Sequence, residues 1–156
     1  MDRIIVRRAE VRDAESVVDM IVRLKIFNEE LSGMFRTVQD VRERAREYFM
    51  SSLDGDGKIL LVADADGEVA GFIRVELVDR IFYEPRVKAL ITDIYVRPSY
   101  RRSSVGHILI EAATREARRM GAGMISAIYP IKNYVASEFY RKMGFEELQV
   151  EVFKEL

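Results

Sequence analysis

The residues Arg101, Arg102, Ser103, Ser104, Val105, Gly106 and His107 lie where an apolar run, ending at Val96, gives way to a long amphipathic one. Pro98 has no amide proton and stops the preceding strand, so the chain must turn there into a helix. A helix start leaves several backbone N–H groups without intrahelical acceptors, at the positive end of the helix dipole. Such a start suits phosphate oxygens. Arg101 and Arg102 add the fork geometry that grips phosphate, Ser103 or Ser104 can cap the helix or donate a hydroxyl, and Gly106 lets backbone approach a ligand closely. The same residues also describe an ordinary capped helix with a solvated first turn, and the local pattern leaves both readings standing.

Few other groups can do chemistry. The chain has no Cys and one His, so disulfides, thiolate metal sites, a Cys nucleophile and a His-based metal cluster are excluded, and a Ser–His pair would depend on His107 alone. No metal is expected. A formal charge of −1 with a pI near 6.0 favours neither nucleic acid nor an anionic membrane, so any anion site must be local. No G-x-G-x-x-G follows the first strand and no G-x-x-x-x-G-K-S/T occurs, which sets aside dinucleotide-binding and P-loop readings.

These groups must be held by a folded frame. With 49% hydrophobic and 33% charged residues over 156 positions, the composition is that of one folded domain spanning 1–156. The N-terminal Met1–Asp13 stretch has no apolar core of leader length, and no run approaches the roughly 18 apolar residues of a spanning helix, so the cytoplasm is the expected compartment. Arg3–Ala9 reads as a short strand. Asp13 is expected to cap a helix carried by Val17, Met20, Ile21, Leu24 and Phe27, and Thr37–Asp40 to form a capping box for a second helix carried by Val41, Ala45, Tyr48 and Phe49. Two β-rich runs meet at Ala65-Asp66-Gly67-Glu68, a hairpin signal, and Val87–Val96 is a third long strand. A helix over about 104–120, a strand from Met124, a helix ended by Gly144 and a last strand over 145–156 complete the order. Helical crossovers late in the chain call for parallel pairing beside an antiparallel meander. The expectation is an α/β fold: a mixed central sheet of about six to seven strands with helices on both faces.

Val96-Arg97-Pro98-Ser99-Tyr100-Arg101-Arg102-Ser103-Ser104-Val105-Gly106 resembles motif A of the GCN5-related N-acetyltransferases (GNAT), V-x-P-x-Y/F-R/Q-x-x-G-x-G/A, with Val96, Pro98, Tyr100, Arg101 and Gly106 matching. Ser104 stands where the family usually has its first glycine, which requires that this residue keep a negative φ. About thirty residues on, Asn133, Ala136, Phe139, Tyr140, Lys142, Gly144 and Phe145 resemble the family's N-x-x-A-x-x-F/L-Y-x-K/R-x-G-F signature. Together the two motifs and the strand pattern cover nearly the whole chain.

The resemblance implies an acetyl-CoA-dependent N-acetyltransferase. Amides of the loop through Arg101, Arg102, Ser103, Ser104, Val105, Gly106 and His107 would hold the pyrophosphate of acetyl-CoA, and the backbone of Ile94, Tyr95 and Val96 the pantetheine arm. Asn133 would also contact the cofactor, and Tyr140 would stand near the sulfur as general acid. The base stays open between Asp93, Glu76 and water; Thr92 and Asp93 alternate, so only one should face a given side. Glu29 and Glu30 lie where relatives shape the acceptor pocket. The implied partner is an amine-bearing substrate, a small molecule or polyamine, with protein N-termini or lysines as the alternative. A non-catalytic acyl-CoA-binding module on the same fold is the competing class. A homodimer through the late strands is expected, the Leu148–Phe153 stretch being apolar.

Overall fold

The computed structural model describes residues 3–156; Met1 and Asp2, the first residues of the stretch read above for a leader, lie outside it. Among the described residues five strands form one sheet: β1 (Ile4–Arg8), β2 (Lys58–Ala65), β3 (Glu68–Asp79), β4 (Val87–Val96) and β5 (Met124–Ala127). They lie in chain order, antiparallel from β1 to β4, and β5 pairs with β4 in parallel. The helices are α1 (Ala14–Leu31), α2 (Val41–Leu53), α3 (Val105–Arg119) and α4 (Tyr134–Lys142). None is long and apolar enough to cross a membrane.

Period-2 alternation in β2 and β3 splits the core into two layers. Ile59, Leu61, Ala63, Ile73 and Val75 face α3 and α4, meeting Leu109, Ile110, Ala113 and Tyr140. Leu60, Val62 and Phe72 face α1 and α2, meeting Val17, Met20, Ile21, Ala45 and Phe49. Asp66 and Gly67 both have positive φ (51° and 94°), the condition of the tight hairpin that the Asp-Gly pair announced. Gly144 sits at φ 87°, where the Phe145 and Gly144 N–H groups donate to the carbonyls of Tyr140 and Arg141 and close α4.

Four expectations are corrected. The sheet has five described strands, fewer than six to seven, because residues 145–156 pair with nothing although their apolar alternation is strand-like. Asp13 precedes α1 without capping it: its carboxylate accepts from Arg7 Nη1 and Nη2 at 2.8 and 2.9 Å and from the Glu10 N–H at 2.8 Å. Burial alone would raise its pKa, but the Arg7 and Glu10 hydrogen bonds outweigh that and hold it below the usual carboxylate range. Thr37 opens no capping box either; α2 starts at Val41, and the Thr37 N–H donates to Glu29 Oε1 at 3.0 Å. At the far end of α1, Phe27 is exposed and Val18 takes a core position instead.

Candidate active site

The site begins where β4 outruns its neighbour. β4 and β5 pair only from Lys88–Met124 to Ile91–Ala127, while β4 continues five residues further to Val96. Its edge over 92–96 is therefore open on the β5 side. At the end of that edge Pro98–Tyr100 make a single 3-10 turn, followed by a turn through Arg101–Ser104 and the start of α3.

In this turn the Ser103 N–H donates to Tyr100, that of Val105 to Ser103 and that of Ile108 to Ser104. Among the described residues no acceptor takes the N–H groups of Arg102, Ser104, Gly106 or His107. Four free donors at a helix start form a ready anion cradle. Ser104 has φ −72°, so its Cβ is accommodated without the left-handed backbone that a glycine would permit. Gly106 answers to a different neighbour than sequence reasoning gave it: an added Cβ would stand 3.2 Å from the Phe139 ring, so α3 begins in close contact with α4. Arg101 turns back, donating from Nε to the Val96 carbonyl at 3.0 Å with its guanidinium 5.3 Å from the Tyr95 ring, whereas Arg102 is exposed. His107 is exposed and meets only the edge of Phe139. Asn133 caps α4, its Oδ1 accepting from the Ala136 N–H at 3.0 Å.

Across the sheet, β4 breaks its own alternation. Arg74 pairs with Asp93 and Val75 with Ile91, leaving Thr92 opposite no residue of β3, a β-bulge. Ile91 and Ile94 therefore both face the α3/α4 layer, and Thr92 and Asp93 both face α1 and α2. This overturns the expectation that only one of the two could face a given side. The Tyr48 hydroxyl lies 2.5 Å from Asp93 Oδ2 and 3.3 Å from Thr92 Oγ1, and Lys25 Nζ lies 2.6 Å from Asp93 Oδ1. The buried Arg74 guanidinium donates to Ser52 Oγ at 2.6 Å and Thr92 Oγ1 at 3.0 Å, pairs with Glu76 at 2.7 Å, and lies 4.0 Å over the Tyr48 ring. A buried guanidinium is tolerated because its donors and its charge are both met. The Asp93 side chain is wholly buried and both its oxygens are engaged, one by Lys25 and the other by Tyr48. Glu76 is partly exposed; Glu29 is spent on the Thr37 amide and Glu30 is exposed.

Tyr140 closes the other side. It is buried, stacked on Tyr129 at 5.5 Å and flanked edgewise by Phe139 and Phe145. Its hydroxyl has no hydrogen-bond partner among the described residues. Burial first, then the charges of Tyr129 and Asp93, push its pKa well above the ordinary phenol value. Tyr48 is pushed up likewise, by burial and then by the Asp93 charge. No group of three or more His, Asp or Glu that could hold a metal ion occurs among the described residues.

A model of the acetyltransferase (GNAT) family matches residues 24–145. The chain belongs to that family. An uncharacterised N-acetyltransferase of Methanocaldococcus jannaschii is 28% identical over 127 residues, 81% of this chain but only 56% of the relative, so the chain spans about half of that protein. An aminoglycoside N(6′)-acetyltransferase type 1 of Stenotrophomonas maltophilia is 29% identical over 118 residues, 73% of this chain and 76% of the relative. Among solved structures, the aminoglycoside N-acetyltransferase AAC(6′)-Iy in complex with CoA superposes with a TM-score of 0.79 at 18% identity, over 100% of this chain and 96% of that one; at that identity the likeness speaks for the fold.

Within this GNAT chain, sequence reasoning missed Lys25, Tyr48, Ser52 and Arg74. Tyr48 shares the apolar face of α2, and the core packing this implies is half its role. One signal was available: Arg74 interrupts the run Gly71-Phe72-Ile73-Arg74-Val75, where an unpaired charge would be costly.

Proposed function

We propose that this GNAT chain is an acetyl-CoA-dependent N-acetyltransferase acting on a primary amine of a small molecule or polyamine, in the cytoplasm. The observation that carries the reading is the set of N–H groups at Arg102, Ser104, Gly106 and His107 that no described residue claims, at the end of an open strand edge whose Ile94 and Val96 pack in the same cluster as the buried Tyr140. The diphosphate of acetyl-CoA would be held by those amides, with the Arg101 and Arg102 side chains and the Ser103 hydroxyl adding charge and polarity around it. The main chain of Ile94, Tyr95 and Val96 would take the pantetheine arm along the open edge, and Asn133 and Val105 would border it.

The amine nitrogen attacks the thioester carbon, the carbonyl oxygen takes the negative charge, and the C–S bond breaks as the tetrahedral adduct collapses. An open amide of β4 is the donor proposed for that oxygen. Tyr140 is the acid: with its pKa held up it is fully protonated at neutral pH and gives its proton to the departing thiolate. The ammonium loses one proton before attack, and the nitrogen sheds a second as the adduct collapses to the amide; that second proton restores the phenol through solvent, which closes the balance. Asp93 is assigned a positioning part, fixing Tyr48 and Lys25 at the acceptor side, and the ammonium proton leaves through water near Glu76.

The test is CoA release from acetyl-CoA with a panel of aminoglycosides, polyamines and peptides with free N-termini or lysines. Turnover with the small polycations supports the reading, and turnover confined to peptides moves it to a protein acetyltransferase. Protection by acetyl-CoA against thermal unfolding with no transfer to any amine would leave a binding module.

A further inference from the structure

Three arginines reach for one carboxylate beside the end of β4. Asp19 and Arg23 stand one turn apart on α1, with Arg23 Nε 2.9 Å from Asp19 Oδ2. Arg97, just past β4, places Nη1 3.7 Å from the same oxygen, and Arg42, in the first turn of α2, places Nη1 3.9 Å from Oδ1. The last two distances exceed a hydrogen bond, so those contacts are charge alone. Arg97 donates from Nε to the Val69 carbonyl at 3.0 Å, and among the described residues no acceptor takes its Nη groups or any N–H of the Arg42 side chain. The Arg97 side chain is only 25% exposed, so water reaches its open donors poorly.

Between these residues lies a hollow of about 290 Å³, lined by Glu15, Ser16, Asp19, Arg42 and Arg97. Tyr95 packs in the α1/α2 layer, and Arg97, two residues on, faces the same way. In contrast α3, whose first turn carries the unclaimed amides, packs against the other face of the sheet. The hollow is therefore no part of the cradle at 102–107. The guanidiniums of Arg23, Arg42 and Arg97 stand against two carboxylates, Asp19 and the exposed Glu15, which leaves one positive charge unmatched. Like charges crowded this closely repel unless an anion joins them. The forks converge from α1, α2 and the end of β4 instead of lying in one plane, which suits a tetrahedral oxyanion; a planar carboxylate is satisfied by a single fork.

We infer that this hollow binds the phosphate group of a small molecule, separately from any cofactor held at α3. The Ser16 hydroxyl adds a donor to the guanidiniums. The inference does not rest on the proposed activity, and its readout needs no amine. Inorganic phosphate is titrated at constant ionic strength into the full chain with nitrogen-15-labelled arginines, first without CoA and then with CoA in excess. In the parent the Arg97 Nε–H resonance should shift saturably. Arg42→Gln should raise the phosphate Kd by about tenfold, since it removes charged donors while changing only a half-exposed side chain. Asp19→Asn should lower it by about threefold or more, because a competing anion is gone. CoA should leave these values within about twofold. No saturable shift of Arg97 below ~50 mM phosphate would overturn the inference, as would an unchanged Kd in Arg42→Gln or displacement of the phosphate by CoA. Should Asp19→Asn misfold, the parent and Arg42→Gln decide.

Discussion

Tyr140→Phe removes one oxygen and little else. The ring is buried against Tyr129, Phe139 and Phe145, and the phenylalanine keeps those contacts. Because the hydroxyl has no partner among the described residues, its loss strands no donor or acceptor, and stability should shift by less than about 0.5 kcal/mol. If the hydroxyl supplies the proton for the thiolate, its loss should lower kcat by on the order of a hundredfold or more, about 2.7 kcal/mol of barrier. The Kd for acetyl-CoA should stay within about twofold, since binding is assigned to the main chain between Arg102 and His107. The assay pairs steady-state CoA release with calorimetric titration of CoA and a urea melt. Equal turnover in the variant, with the melt unchanged, would refute the acid role outright. A parallel loss of CoA affinity and melting midpoint would reduce Tyr140 to a packing residue.

Asp93→Asn should cost about 2–4 kcal/mol, since it leaves the Lys25 ammonium and the Tyr48 hydroxyl short of a charged acceptor. The acidic limb of the pH–rate profile should survive in the refolded variant; its disappearance would make Asp93 the base. Gly71→Ala should cost about 1–3 kcal/mol because its Cβ would stand 2.7 Å from the Tyr95 carbonyl oxygen, and a change under about 0.5 kcal/mol in a urea melt would contradict the close approach of β3 and β4. Above pH 10 the unfolded chain releases the protons of Tyr48 and Tyr140 while the folded one retains them. Unfolding then sheds protons, so stability falls as pH rises, by about 1.4 kcal/mol per unit for each. Tyr48→Phe and Tyr140→Phe should each flatten that decline, and an unchanged slope in both would deny the raised values.

Local rules carried much of this fold. Val87–Val96 is a strand over those ten residues, Asp66-Gly67 makes its hairpin, and Asn133 and Gly144 bound α4 as their types demand. The turn into α3 was visible for the same reason: proline, arginines and a helix start are neighbours in sequence. The polar cluster was not, because Lys25, Tyr48, Arg74 and Asp93 come from three separate elements and β4, and no short-range rule pairs them. The bulge was hidden too, since nothing in Ile91-Thr92-Asp93-Ile94 marks an extra residue. The 145–156 segment shows the opposite failure: periodicity announces a strand but does not name the neighbour it needs.

One inserted residue has a cost that reaches beyond its own peptide. Strand parity is set at the hydrogen-bonded end of β4, so every side chain past Thr92 is out of phase with those before it. Deleting Thr92 would leave Ile91, Asp93, Ile94, Tyr95 and Val96 in strict alternation on the faces they already occupy, and would remove only the hydroxyl that Arg74 and Tyr48 contact; a residue added or lost anywhere else in β4 would turn the side chains beyond it to the wrong layer. Natural length variation within this strand should therefore be tolerated one residue at a time at Thr92 and only in steps of two elsewhere.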